Sequence, residues 1–247
     1  MNMSSIKITM LRLVAIVIGI AVLSSCSTRP SWCPFSKARD YTASSEIVTS
    51  TYAEPLNIYN AKQQVEAYYS SGGYEQAMNQ VGEKAMDYLK SCKDTPGKLA
   101  IVFDIDETSL SNYPVELKMD FGFNPNIFND FVMSEKGTVI KPSLALFDQA
   151  KAQNVAVFFI SGRHENQREA TVENLKSVGY YGWTQLILKP DDFKPSASMV
   201  DFKAPLRSKI EQDGYRIILN IGDQYSDLNG GYADKCFKYP NPFYYIP

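Results

Sequence analysis

The chain has 247 residues, 45% hydrophobic and 21% charged, a balance that suits one folded α/β domain with a small accessory region and excludes a wholly disordered protein. Its 25 basic and 27 acidic side chains give a formal net charge of -2, which disfavours a nucleic acid polymer as a backbone-bound partner. A single histidine, His164, rules out a multi-histidine metal centre, the four cysteines contain no Cys-x-x-Cys pair, and no Gly-x-Ser-x-Gly elbow is present for a serine hydrolase.

Lys7 and Arg12 precede an apolar run from Leu13 to Leu23, followed by Ser24-Ser25-Cys26. A membrane-spanning helix needs ~20 apolar residues, so this run is too short to cross and fits a secretory signal over residues 1–25. The Leu23-Ser24-Ser25-Cys26 ending resembles a bacterial lipobox, which implies cleavage before Cys26, lipidation of its thiol and an exported lipoprotein anchored to a membrane that faces the periplasm or cell exterior. The competing reading is an ordinary secretory signal with an incidental cysteine. Export into an oxidising compartment allows one disulfide among Cys33, Cys92 and Cys236, with the pair undetermined.

Residues 26–56, rich in Pro, Ser and Thr, read as a tether, and residues 57–247 as the functional domain. Asn57 is placed to cap a helix running through Tyr69, which stops at Ser70-Ser71-Gly72-Gly73. From Tyr74 to Cys92 the spacing of Ala77, Val81, Ala85, Tyr88 and Leu89 predicts an amphipathic helix. Apolar runs then alternate with helical stretches: strands at Leu99–Ile105, Val155–Ile160, Gln185–Leu188, Arg216–Ile221 and Cys236–Tyr239, and helices near 142–153, 165–178 and 203–213. That alternation predicts a doubly wound parallel α/β sheet.

In such sheets ligands sit beyond the carboxyl ends of the strands, so the polar residues there come first. The first strand leads into Asp104-Ile105-Asp106-Glu107-Thr108, two acids close enough to repel and to call for a cation. The second leads into Ser161-Gly162-Arg163, a hydroxyl and backbone amides at an expected helix start, suited to an anion. Lys203 follows the third strand, and Gly222-Asp223-Gln224-Tyr225-Ser226-Asp227 follows the fourth. Taken singly, Ser161 reads equally as a helix cap and Lys203 as a surface lysine beside Lys189 and Lys194. Together, acids for a metal and a serine, amides and a lysine for phosphate oxygens make a phosphoryl-transfer site.

These four segments, in this order, resemble the motifs of the haloacid dehalogenase superfamily of phosphatases. The forms of the first and last resemble the class C bacterial lipoprotein acid phosphatases and the plant acid phosphatases related to vegetative storage proteins. The resemblance implies Asp104 as nucleophile and Asp106 as general acid and base. It further implies Mg²⁺ on the Asp104 carboxylate, the Asp106 main-chain carbonyl and Asp223, with Asp227 behind them, and phosphate on Ser161, Gly162 and Lys203. The expected substrate is a phosphomonoester, nucleotides among the candidates. The resemblance also implies a small helical side-domain made by residues 57–95 and 112–140; Tyr113 and Phe128, in the aromatic-rich second part, are candidates to stack on the leaving group or else pack the side-domain. Glu107 is expected to brace the loop. A storage or binding protein on the same fold and a phosphotransferase are the alternatives; retention of Asp104 speaks against storage.

Overall fold

Residues 53–193 and 198–247 are described by a computed structural model; the expected signal peptide, Cys26, Cys33 and nearly all of the tether lie outside them. In chain order the elements are α1 (Ile58–Ser70), α2 (Gly73–Ser91), β1 (Lys98–Phe103), β2 (Leu110–Ser111), α3 (Tyr113–Lys118), α4 (Pro125–Met133), β3 (Thr138–Val139), α5 (Lys141–Ala152), β4 (Ala156–His164), a 3-10 turn at Glu165–Gln167, α6 (Arg168–Ser177), β5 (Gln185–Lys189), α7 (Met199–Gln212), β6 (Tyr215–Gly222), α8 (Tyr225–Leu228) and β7 (Lys235–Lys238). Asn57 caps α1 by accepting the Tyr59 N–H at 2.9 Å, as the sequence predicts.

The five long-range strands form one parallel sheet in the order β5-β4-β1-β6-β7. The chain winds outward from β1 through β4 to β5, then crosses back to β6 and β7. This is the expected doubly wound arrangement, and it puts the topological switch point between β1 and β6. Side-chain alternation builds two cores. Ile101, Phe103, Val157 and Phe159 face one side with Leu146, Phe147 and Leu175, while Ala100, Val102, Phe158 and Ile160 face the other with Phe202 and Ile210. Between Ala100 and Ile101 the register with β6 slips by one, so Ile218 and Leu219 both turn to the larger core.

Three local expectations are corrected. Helix α2 buries Tyr74, Met78, Ala85 and Leu89 in the same core as β1, so it is a layer of the main fold. Strand β4 runs on to His164 because Ser161 and His164 still pair with Leu188 and Lys189 of β5, so Ser161-Gly162-Arg163 lies on extended chain and not at a helix start. Helix α7 begins earlier than the apolar spacing suggested, since Ser198 and Asp201 form a capping box, which places Lys203 in its second turn. Cys92 is buried, Cys236 is exposed, and they are not bonded to each other. No helix among the described residues is long and apolar enough to cross a membrane.

Candidate active site

Asp104 stands at the end of β1, its amide donating to the Ile221 carbonyl of β6 at 3.0 Å, directly over the switch point. The chain then folds tightly: the Ile105 carbonyl accepts from the amides of Thr108, Ser109 and Leu110, and Ser109 Oγ donates to the Asp104 carbonyl at 2.7 Å. Glu107 occupies the left-handed region at φ 53, a costly conformation for a residue with a Cβ. Its carboxylate holds it there, accepting from the Asn112 amide at 2.6 Å and the Tyr244 hydroxyl at 2.7 Å. The loop brace expected at Glu107 is therefore a fully buried side chain tied to the far end of the sequence.

Asp106 is paired with Arg163. Its carboxylate accepts from Arg163 (Nη2 at 2.7 Å, Nε at 3.0 and 3.2 Å) and from Asn112 Nδ2 at 2.7 Å. The fork geometry of the guanidinium fixes the plane of the carboxylate, and Arg163 is itself buried and tied to Thr171. Ser161 is fully buried, and its Oγ accepts the Arg163 amide at 3.1 Å; Gly162 and Arg163, not Ser161, line the cavity.

The fourth strand end supplies the rest. Asp223 accepts from Thr108 Oγ1 at 2.9 Å and from Gln224 and Asn241 at 2.8 Å each. Asp227 folds back over Gly222, where a Cβ would fall 2.5 Å from the Asp227 side chain; only glycine admits that approach. Lys203 Nζ reaches both Asp104 Oδ1 at 2.5 Å and Asp227 Oδ1 at 2.6 Å. Arg207, one turn on, anchors the same loop through the carbonyls of Asp227, Asn229 and Gly231.

Carboxylate oxygens of Asp104, Asp223 and Asp227 lie within 4.8 Å of one another, all three residues buried. Three acids face one ammonium. Burial pushes Asp104 up, Lys203 offsetting only part of it, and pushes Asp223 up to about 7, with Asp227 and Glu107 adding to the effect. Burial also works against the charge on Lys203, but Asp104 and Asp227 outweigh it and hold the ammonium protonated. Crowded, buried, oxygen-only donors with a net negative charge fit a hard divalent cation. The Asp106 side chain is engaged by Arg163, so any contact of that residue with the cation comes through its main-chain carbonyl.

The metal-free protein should therefore lose stability as pH rises. The carboxyls of Asp223, ordinarily at 3.8 and pushed up to about 7, and of Glu107, ordinarily at 4.5 and pushed up by burial to about 8, stay protonated in the folded chain while the unfolded chain releases its protons. The folded state then binds more protons than the unfolded one, and stability falls through that window. Melting temperature in chelator should drop by several degrees between about pH 5 and about pH 8, and a divalent cation should restore more at the higher pH. A melting temperature that rises over this range, or a cation effect confined to the acid end, would contradict the assignment.

Above the acids opens a cavity of about 990 Å³, its apolar lining including Phe121, Phe123, Phe128, Tyr244, Tyr245 and Ile246. Phe128 is part of this lining. Tyr113 is not: its ring stacks on Tyr69 and tilts against Phe243, away from the cavity, because α3 turns that face toward α1. His164 lines the rim, 3.6 Å from Asp191. Sequence reasoning missed Arg163, Gln224, Asn241 and Tyr244. The first two adjoin motif residues and were within reach; Asn241 and Tyr244 follow no strand-end pattern and meet the site only through the tertiary fold.

Comparison with known proteins gives a consistent picture. A family model described as HAD superfamily, subfamily IIIB (acid phosphatase), matches residues 36–247. The chain is 35% identical over 188 residues to acid phosphatase 1 of Solanum lycopersicum, covering 74% of this chain and 73% of that one. It is 34% identical over 194 residues to vegetative storage protein 1 of Arabidopsis thaliana, covering 76% and 71%. Among solved structures, the class C acid phosphatase from Bacillus anthracis superposes with a TM-score of 0.61 at 24% identity, over 75% of this chain and 86% of that one, a likeness of fold.

Proposed function

The chain belongs to the subfamily IIIB acid phosphatases of the HAD superfamily, and from that premise we propose that it is a Mg²⁺-dependent phosphomonoesterase working through an aspartyl-phosphate on Asp104. The observation that carries this reading is the juxtaposition of Asp104, Asp223 and Asp227 with Lys203 at the switch point. Asp104, Asp223 and the Asp106 carbonyl would hold Mg²⁺, with Asp227 behind them through Lys203. When bound, the ion offsets the charge of carboxylate and phosphate so that the two anions can meet.

The chain's own residues perform the rest. Lys203 has a third N–H beyond those given to Asp104 and Asp227, and with the Gly162 amide it binds phosphoryl oxygens, while Ser161, buried behind that lining, supports the strand end by accepting the Arg163 amide. An Asp104 carboxylate oxygen bonds to phosphorus as the ester P–O bond breaks, and Asp106 gives its proton to the departing alcohol. Asp106 then takes a proton from water as the water oxygen bonds to phosphorus and the Asp104–phosphorus bond breaks, which frees phosphate and regenerates both acids. Arg163 and Asn112 keep Asp106 oriented for both steps. The broad cavity suits large leaving groups, nucleotides included, with Phe128 available to stack on them. Purified protein should hydrolyse p-nitrophenyl phosphate with Mg²⁺ and stop in chelator; turnover indifferent to both would overturn the reading.

For the N-terminus we propose lipidation at Cys26 and attachment to an exported membrane face, supported by Leu23-Ser24-Ser25-Cys26 after the apolar run. Mass spectrometry of detergent-extracted protein should find a diacylglyceryl group on an N-terminal Cys26. A water-soluble chain beginning at another residue would refute it.

A further inference from the structure

Glu116 has no part in the chemistry above, yet it is buried to 3% exposure and lines the cavity. It sits on α3, which carries the chain from the Asp106 loop toward Phe121. Among the described residues no hydrogen bond or ion pair reaches its carboxyl group. Two donors that line the same cavity are already engaged: Arg163 with Asp106 and Thr171, and Gln167 with Asn129 Oδ1. Phe121, whose amide donates to the Glu116 carbonyl at 2.9 Å, lines the same cavity with Phe123 and Phe128, whose rings lie 6.2 Å apart. Burial, with the charge of Asp106 adding to it, pushes the Glu116 carboxyl up to about 7, as expected for an acid without a donor.

An acceptor that opens on a cavity and has no protein partner is free to take a donor brought by the ligand. A carboxylate in a cavity lined also by phenyl rings favours a cation above other donors, since both attract it. We propose that Glu116 is a specificity residue that selects phosphomonoesters whose alcohol carries a protonated amine, the phosphoryl end lying on Lys203 and Gly162 and the ammonium end on Glu116. This inference rests on the phosphatase reading and deepens it by naming a class of leaving group.

The test compares kcat/KM for a series of ω-aminoalkyl phosphates of increasing length with n-alkyl phosphates of matched length, in wild type and Glu116→Gln. At the best-fitting length the wild type should favour the amine by about tenfold or more. Glu116→Gln should lose that preference while its kcat/KM for the alkyl esters stays within about twofold. Glu116→Asp, shorter by one methylene, should keep the preference and move its optimum to a longer amine, an outcome that a purely structural role would not produce, and it serves if the glutamine variant does not fold. Equal use of amine and alkyl esters by the wild type, or a preference that survives in Glu116→Gln, overturns the inference. If p-nitrophenyl phosphate is hydrolysed throughout, only this inference falls; if no ester is hydrolysed, the phosphatase reading falls with it.

Discussion

Asp104→Asn should abolish hydrolysis of every phosphomonoester, a loss of at least ~10⁴-fold in kcat. The amide cannot attack phosphorus as a carboxylate does, and the variant also removes one charge from the cluster with Asp223 and Asp227. The loss is not one of folding. A buried acid whose ionisation is opposed by its surroundings costs the metal-free fold, and Asn keeps an acceptor for Lys203 Nζ. Melting temperature in chelator at neutral pH should therefore hold or rise as activity vanishes, with a smaller gain from Mg²⁺ than in the wild type. A variant that keeps near-normal Mg²⁺-dependent turnover would exclude Asp104 as nucleophile.

Asp106→Asn should act differently although the two acids are two residues apart. It leaves the nucleophile and the acid cluster in place and retains a carbonyl for Arg163, but it cannot move a proton, a loss of ~10²–10⁴-fold. The loss should divide unequally between the two halves of the reaction. A leaving group as good as p-nitrophenolate departs without a proton, so the enzyme should still be phosphorylated quickly, whereas water attack on the phosphoenzyme has lost its base. Stopped-flow should show a burst of p-nitrophenol near one equivalent per site followed by slow turnover. A poor alkyl leaving group should show no burst. Equal slowing of both phases for both substrates would mean that Asp106 serves only to position Arg163.

The parts of this account that were legible in the sequence are those written locally. Alternating apolar runs and helical spacing depend on neighbours within a turn or a strand, and they placed the five parallel strands and the acids at their ends. What failed depended on pairing across the fold. The β4 strand outlasts its apolar run because β5 keeps pairing with it to His164, which no property of Ser161-Gly162-Arg163 announces. Tyr113 looked like a mouth residue by position, but its stacking on Tyr69 requires α1 to lie across α3. The Glu107–Tyr244 hydrogen bond joins residues 137 apart, and Tyr244 lies in an unpatterned segment. Arg163 is the instructive omission, since it follows a motif residue directly and its charge alone suggested a partner among the acids.

The measurement that bears most directly on the mechanism is rapid acid quench of the wild type turning over p-nitrophenyl phosphate, followed by peptide mass spectrometry. The account predicts one added phosphoryl group on the peptide spanning Leu99–Phe103 and Asp104-Ile105-Asp106, localised to Asp104, removed by hydroxylamine as an acyl phosphate is, and accumulating further in Asp106→Asn. Steady turnover with no phosphoryl group on Asp104, or with the label on Ser161 instead, would contradict it.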